Sequence, residues 1–234
     1  CWAVPGGGDG ADPYHNYSFI SSQGGYLFGT DPATGGLDPT DVGLDTEEAI
    51  AGATVLEELV TAGYVGSVNG ADAQKQFEDG VAPFFLSGPW QLAGFDEQSL
   101  PYGVSKLPTV EGQPMRPFLG AGGWFVNQFS ENTGIAQAFL LNYIATEDTM
   151  AALYEADPRN PVHIATFETV TAGNEIAETF ALSGADGSPI PNIPEMGSVW
   201  GPLGDQILGL RNGQTDATTA MTTAAEQVRA AVAS

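Results

Sequence analysis

Three aromatic side chains stand at junctions between predicted elements, each beside small or polar residues. Tyr14 closely follows Asp12 after a glycine-rich loop, Trp90 follows a Ser-Gly-Pro turn, and Trp200 ends a proline-rich stretch. At such a junction a side chain can project into a crevice instead of a core. Flat apolar rings suit the apolar faces of sugar rings, and a carboxylate accepts hydrogen bonds from hydroxyls. The pattern predicts a carbohydrate site, while core packing remains the alternative for any one ring.

Residues typical of enzyme active sites and metal centres are scarce. The sequence has no G-x-S-x-G, P-loop or H-E-x-x-H motif, and His15 and His163 are its only histidines. The glycine-rich GAGGWF stretch lacks the spacing of a dinucleotide-binding loop. A glycoside hydrolase needs only two carboxylates, but 29 acidic residues single out no pair. We therefore predict no enzyme, no cofactor and no metal site, with a glycoside hydrolase kept as an alternative.

The charge and composition exclude several kinds of partner. A net charge of -23 and a hydrophobic content of 42% indicate a folded, strongly acidic chain with a buried core. Nucleic acid and anionic membrane surfaces would repel such a protein. No apolar run approaches the roughly 20 residues that a membrane-spanning helix needs.

Cys1 is the single cysteine, so the chain can form neither an internal disulfide nor a zinc–thiolate cluster. A cysteine at position 1 also fits the acylated terminus of a lipoprotein. Because the residues that follow, Trp2 to Val4, are typical of a buried strand, we favour a structural role for Cys1 in this chain.

Periodicity and capping residues outline most of the elements. Apolar residues at helical spacing after an Asp45–Thr46 cap predict a helix that ends near Gly63. Further helices are predicted at about 71–79, 89–95, 133–146, 147–156, 174–182, 198–211 and 216–232. Strands are predicted at 1–4, in the GGYLFG stretch, at 84–86, 102–110 and 117–129. Short strands lying between helices indicate an α/β fold with a partly parallel sheet.

Six stretches, in order along nearly the whole chain, carry a resemblance to a known family. They are DPYHNYSFISSQGGYLFG, DVGLDTEEAIAGATVLEEL, GPWQLAGFD, LPYGVSKLPTVEGQPMRPFLGAGGWFVN, AQAFLLNYIATEDTMAALYE and IPNIPEMGSVWGPLGDQI. Together they resemble the maltose/maltodextrin-binding proteins of ABC importers, which are extracellular solute-binding proteins of the family-1 type. The GPW and PNIPEM…W pieces are the most specific.

The resemblance implies two α/β lobes joined by hinge strands, with sugar bound in the cleft between them. It places 1–122 and 171–234 in a C-terminal lobe of the periplasmic-binding-protein type II kind, a mixed sheet flanked by helices. Residues 123–170 would cross into the N-terminal lobe and return. Most of that lobe would be missing from this chain, so we expect a fragment of a longer protein. The face of Phe139 and Tyr143 would then be exposed, which is rare in monomers.

The resemblance also implies roles for individual residues. Asp12 and Tyr14 look like the acid and the aromatic of the sugar-facing loop, and Trp90 and Trp200 look like the stacking tryptophans. His15 stands where the family often has another ring.

Two sets of glycines bear on motion and specificity. Gly120, Gly122 and Gly123 interrupt a predicted strand and are the expected hinge. Gly201 and Gly204 stand where maltose binders carry a tyrosine and an arginine, which weakens the case for maltose itself and leaves room for another oligosaccharide.

The implied partners are an oligosaccharide ligand and the membrane permease subunits of an ABC importer. The implied location is extracellular or periplasmic, with the full-length form tethered to the membrane as a lipoprotein. A sensor or adhesion module that binds sugar without a permease is the other alternative.

Overall fold

Several helices are capped by the side chain of the residue just before their first turn. The structure is a computed structural model that describes residues 2–234, so the prediction for Cys1 lies outside the described residues. Thr46, Asn69 and Asp216 each accept a hydrogen bond from the backbone N–H three residues further on. Each thereby satisfies an N–H that the first turn leaves without an intrahelical partner.

Ten helices and eight short strands make up the described part of the chain. The helices are α1 (Pro13–Ser22), α2 (Glu47–Thr61), α3 (Gly70–Glu78), α4 (Leu92–Glu97), α5 (Thr133–Phe139), α6 (Glu147–Ala156), α7 (Ile164–Thr171), α8 (Glu175–Ala185), α9 (Trp200–Arg211) and α10 (Ala217–Val232). The strands are β1 (Trp2–Ala3), β2 (Phe28–Thr30), β3 (Leu37–Val42), β4 (Phe84–Phe85), β5 (Thr109–Val110), β6 (Gln113–Pro114), β7 (Phe118–Leu119) and β8 (Ser188–Pro189). Short 3₁₀ segments cover Pro89–Gln91 and Pro194–Ser198, and a π segment covers Leu140–Ile144.

The strands of the described residues pair in four two-stranded sheets. β1 pairs with β4 and β7 with β8 in parallel, whereas β2 pairs with β3 and β5 with β6 in antiparallel fashion. The predicted α/β class is confirmed, with the parallel and antiparallel pairs in separate sheets. The register of β7 and β8 pairs Phe118 with Ser188, which joins two distant parts of the chain.

Contacts divide the chain into two units. Within the described residues, the first unit comprises 2–87, 107–119 and 186–234, and the second comprises 88–106 and 120–185. The first unit holds all of the strands named above, together with α1, α2, α3, α9 and α10. The assignment of residues to the lobes of a larger protein stays a prediction.

The core of the first unit lies where α10 packs against α9 and α2. α10 contributes Ala220, Met221, Ala224, Ala225 and Val228, each 0% exposed. These positions recur at helical spacing, so one side of the helix is apolar and faces the core. The alanines on this side let the neighbouring helices approach closely, because they carry little side-chain volume.

The second unit exposes many large apolar side chains. Phe139 and Tyr143 stack with ring centroids 5.8 Å apart and are 52% and 66% exposed. Others on this unit are Trp124, Phe125, Phe129, Ile135, Leu141, Leu153, Val162, Ile164 and Leu182. The resemblance implies that the face of Phe139 and Tyr143 is exposed when its partner lobe is missing, and in this structure that face is exposed.

The start of the chain differs from the sequence-based prediction. Residues 13–22 form α1, whereas no helix was expected there. The overlooked signal is Asp12 followed by Pro13, a capping residue followed by the residue most suited to the first helical position. α7 was also missed.

Two predicted strands are shorter or more exposed than expected. Phe84 is 66% exposed although β4 pairs with β1, so the buried strand predicted at 84–86 is wrong for this residue. Of the strand predicted at 117–129, only Phe118–Leu119 forms. Gly120, Gly122 and Gly123 follow without regular structure, since glycine loses more backbone entropy on entering a strand than other residues do.

Arg229 ties the last part of α10 to the loop before α2. Its guanidinium donates to both carboxylate oxygens of Asp45 at 2.6 and 2.7 Å, and to the carbonyl oxygen of Val42 at 2.8 Å. The hydrogen bond from Arg229 lowers the pKa of Asp45 below its usual 3.8, although partial burial opposes it. The stabilisation is therefore present above the ordinary aspartate pKa and is lost as the pH falls through the lower folded value.

We expect Arg229→Met to lower the free energy of unfolding by about 0.5–1 kcal/mol at pH 7, which is typical of a well-formed surface ion pair. The loss should shrink as the pH falls, because protonated Asp45 no longer gains from the guanidinium. Urea unfolding of both variants from pH 7 to pH 3 measures this. An equal loss at every pH would show that the contribution is not electrostatic.

Candidate functional site

The first turn of α1 presents the predicted acid and aromatic. Asp12 is the N-cap, and its Oδ1 accepts the backbone N–H of His15 at 2.9 Å. Its Oδ2 lies 2.7 Å from Nδ1 of the same histidine. Pro13 occupies the first helical position, where its missing N–H costs nothing. Local chemistry thus holds the Asp12 carboxylate at the positive end of the helix, which favours its negative charge.

The Asp12 carboxyl has an acidic pKa in this setting. Burial acts to raise the pKa, but the hydrogen bonds and charge of His15, together with the charge of Arg211, hold it below its usual 3.8. At neutral pH the group is therefore an anion whose oxygens can only accept hydrogen bonds. Its side chain is 22% exposed, so part of the carboxylate can meet a ligand's hydroxyl groups.

The ring of Phe118 lies next to two of the predicted aromatic rings. Its ring centroid lies 5.8 Å from that of Tyr14 and 5.7 Å from that of Trp200. The ring of Tyr17 stacks on Phe118 at 4.1 Å with an interplanar angle of 5°. Phe118 is buried, whereas Tyr14 and Trp200 are half-buried. A buried ring on β7 therefore supports two partly exposed rings, which come from the first turns of α1 and α9.

The start of α9 approaches the start of α1 closely. The 3₁₀ segment Pro194–Ser198 leads into α9, whose first residue is Trp200. A Cβ placed on Gly204 would lie 3.3 Å from Cβ of Ala11 and 3.4 Å from Cδ of Pro13. Glycine at 204 therefore allows the approach of α9 that brings Trp200 near Phe118.

A matched pair of substitutions in α9 tests whether its close packing against Ala11 matters for stability. Gly204→Leu should cost about 1–3 kcal/mol of stability, because the added side chain overpacks the contact with Ala11. Gly201→Leu is the control: no heavy atom lies within 4 Å of a Cβ there, so this variant should be neutral or more stable by up to about 1 kcal/mol. Urea unfolding compares the two. Equal effects would mean that the contact between α9 and Ala11 is unimportant.

The structure thus brings four predicted site residues together in the first unit: Asp12, Tyr14, His15 and Trp200. Trp90 belongs to the second unit, on the 3₁₀ segment Pro89–Gln91, and is 37% exposed. Its ring lies against Gly88, where a Cβ would come within 2.2 Å of it. The role of Trp90 as a ligand contact stays a prediction.

The expected hinge glycines lie just beyond β7. Gly120, Gly122 and Gly123 are exposed, and a Cβ on either of the latter two would meet nothing within 4 Å. The role of these glycines as a hinge stays a prediction.

Sequence reasoning missed the supporting residues Phe118, Asn16 and Arg211. Phe118 was assigned only to a long strand. Arg211 is 1% exposed and Asn16 is 0% exposed, and both contribute polar groups to the interior. The signal for Arg211 is weak: it is one of only six basic residues and stands in the last turn of a helix that is otherwise mostly apolar.

No group of three or more His, Cys, Asp or Glu side chains within 2–234 is arranged to hold a metal ion. None of the helices in that range has the length and apolar character to cross a bilayer.

Within the first unit, the Asp12 carboxylate and the half-buried rings of Tyr14 and Trp200 lie at the starts of α1 and α9. A family model described as bacterial extracellular solute-binding protein matches residues 6–181. That match covers most of the chain, which therefore belongs to the bacterial extracellular solute-binding proteins.

Curated relatives match nearly the whole chain. The galactooligosaccharide-binding protein of Bacillus subtilis (strain 168) is 30% identical over 92% of this chain and 52% of its own length. The maltodextrin-binding protein MdxE of the same strain is 28% identical over 93% and 54%. A maltooligosaccharide ABC transporter solute-binding lipoprotein of Streptococcus pneumoniae (strain ATCC BAA-255 / R6) is 28% identical over 88% and 49%. The chain thus spans about half the length of these relatives, which are solute-binding proteins rather than enzymes.

Proposed function

We propose that this chain forms part of an oligosaccharide-binding protein that delivers sugar to the permease of an ABC importer. The observation that carries the proposal is the grouping of Tyr14 and Trp200 around Phe118, beside the ionised Asp12. Rings at this spacing offer stacking surfaces for pyranose faces, and the carboxylate accepts hydrogen bonds from their hydroxyls. Relatives named for galactooligosaccharides and maltooligosaccharides support the same ligand class.

The proposal includes the remaining predicted roles. His15 orients Asp12, and Trp90 is a second stacking surface for the same ligand. Lobe closure about Gly120–Gly123 would report occupancy to the permease. The chain would act without catalysis, outside the cell or in the periplasm, on a protein tethered as a lipoprotein.

The lobe assignment is part of the same proposal. Residues 123–170 would belong to the opposite lobe of a longer protein, and 1–122 and 171–234 to the C-terminal lobe. The exposed apolar side chains of Phe125, Phe129 and Ile135, which are 94%, 84% and 73% exposed, support this. Such a surface is costly in water and is normally covered by protein.

Titration calorimetry on the whole protein that contains this chain tests the function. Maltodextrins and galactooligosaccharides of two to five sugar units should bind with a 1:1 stoichiometry, while monosaccharides should bind more weakly because they cover fewer rings. Absence of binding to any of these sugars would refute the proposal. Release of reducing ends during the titration would favour the glycoside hydrolase instead.

A further inference from the structure

Arg211 is a buried cation that none of the roles proposed above uses. It is the last residue of α9 and is 1% exposed. By contrast, Lys75, Arg159 and Arg229, which form ion pairs with carboxylates, lie at the surface. Burial of a charged group is costly unless hydrogen bonds compensate for the lost water. Burial lowers the pKa of Arg211 to about 10, against an opposing effect of Asp12, so the guanidinium stays charged at neutral pH.

The two terminal nitrogens of the guanidinium bond mainly to backbone carbonyl groups, whereas the buried Nε has no hydrogen-bond partner within the described residues. Nη1 donates to the carbonyl oxygen of Pro5 at 3.1 Å, and Nη2 donates to those of Val4 at 2.7 Å and of Gly66. These bonds tie the end of α9 to the segment after β1 and to the loop after α2. The bond to Pro5 also holds the start of the loop that leads into α1.

Asn16 carries the connection from Arg211 to the site. Its Oδ1 accepts from Nη1 of Arg211 at 2.8 Å, and its Nδ2 donates to the carbonyl oxygens of Asp12 at 2.8 Å and of Pro5 at 2.6 Å. Gly6 makes room for this amide: its φ is +114°, and a Cβ there would lie 2.4 Å from Nδ2. The close approach leaves the Asn16 side chain little freedom to rotate.

We infer that Arg211 is a positioning residue, which acts through Asn16 to fix the backbone and carboxylate of Asp12 for ligand binding. Hydrogen bonds join the Arg211 guanidinium to the Asn16 amide, and that amide to the Asp12 carbonyl oxygen. Covalent bonds within Asp12 connect this carbonyl to the carboxylate, whose oxygens contact the backbone N–H and Nδ1 of His15. The binding role of Asp12 rests on the proposed function, whereas the path itself does not.

Hydrogen exchange tests the path without any sugar. The backbone N–H of His15 is protected by Oδ1 of Asp12, and the N–H of Thr219 is protected in the same way by Oδ1 of Asp216, 2.8 Å away on α10. Arg211→Met should speed exchange at His15 by about tenfold, because the variant loses a hydrogen bond to a charged group. Exchange at Thr219 should be unchanged. Arg229→Met is the matched control and should leave His15 unchanged.

Global destabilisation would speed both amides together, so equal acceleration at His15 and Thr219 would overturn the inference, as would unchanged exchange at both. Where Arg211→Met does not fold, Arg211→Lys and Asn16→Ala carry the same comparison. The double variant of Arg211→Met and Asn16→Ala should be no faster at His15 than either single variant, because the two residues act on one path. Additive effects would also overturn the inference.

Sugar binding then tests the consequence for function. Titration of the whole protein with maltotriose and galactotriose should show about tenfold weaker binding for Arg211→Met and unchanged binding for Arg229→Met. Failure of the unaltered protein to bind either sugar refutes the proposed function and leaves the exchange result to decide the path. Full affinity in Arg211→Met, with exchange at His15 accelerated, would refute the positioning role.

Discussion

Replacing Gly52 by alanine is expected to lower the free energy of unfolding by about 2–3 kcal/mol. Gly52 lies in α2 where this helix crosses α1, and a Cβ there would lie 2.4 Å from the carbonyl oxygen of Phe19 and 2.6 Å from that of Ile20. These obstacles are backbone atoms, so no side-chain rotation can relieve the overlap. The gain in helix propensity, roughly 0.5–1 kcal/mol, offsets only part of the cost.

Urea unfolding with linear extrapolation measures the effect of Gly52→Ala. Gly134→Ala in α5 is the control, because a Cβ there has no heavy atom within 4 Å. That variant should be neutral or more stable by up to about 1 kcal/mol. A neutral result for Gly52→Ala would mean that α1 and α2 lie further apart than the structure has them.

Replacing Trp200 by alanine is expected to weaken oligosaccharide binding by about 1–3 kcal/mol, or about 5- to 150-fold in Kd. The ring is half-buried against Phe118, and its remaining face would lose the stacking contact with a sugar. Titration calorimetry of the whole protein measures the change. Trp200→Phe, which keeps a flat ring at the position, should retain more affinity than Trp200→Ala.

Tyr64→Ala is the matched control for the loss of an aromatic ring. Tyr64 also belongs to the first unit and is 63% exposed, and it has no part in the proposed site. Its replacement should leave affinity unchanged. If Trp200→Ala kept full affinity and lost only stability, the ring would serve the core and not the ligand.

Trp90→Ala is expected to weaken binding by a similar amount, about 1–3 kcal/mol. Because Trp90 belongs to the second unit, this variant tests whether both units contribute to one ligand site. An effect of Trp200→Ala alone would restrict the site to the first unit.

Helices with strong local signals were predicted closely. The helix expected from the Asp45–Thr46 cap to Gly63 is α2, Glu47–Thr61, and the one expected at 216–232 is α10, Ala217–Val232. Capping side chains and apolar residues at helical spacing act within one or two turns, so the sequence contains them in full. α1 was missed although its cap is equally local, because the glycines and prolines of PGGGDGADPY favoured a loop there.

The burial of single residues was harder to predict. Phe84 was expected inside and is exposed, whereas Arg211 is inside although arginine is rarely buried. Whether a side chain is buried depends on which segment packs over it, and the contacts of Arg211 come from residues more than 140 positions away in the chain. Local sequence patterns do not indicate which distant segments pack together.

The sequence by itself determined the α/β class, the membership in the family and the choice of Asp12, Tyr14, His15 and Trp200 as candidates. Residue types, caps and the order of similar stretches were sufficient for these. Only the tertiary structure decided that Phe118 joins Tyr14 to Trp200 and that Arg211 reaches Asp12 through Asn16. Both depend on distances between segments far apart in the chain, which result from the packing of α1, α9 and β7 together.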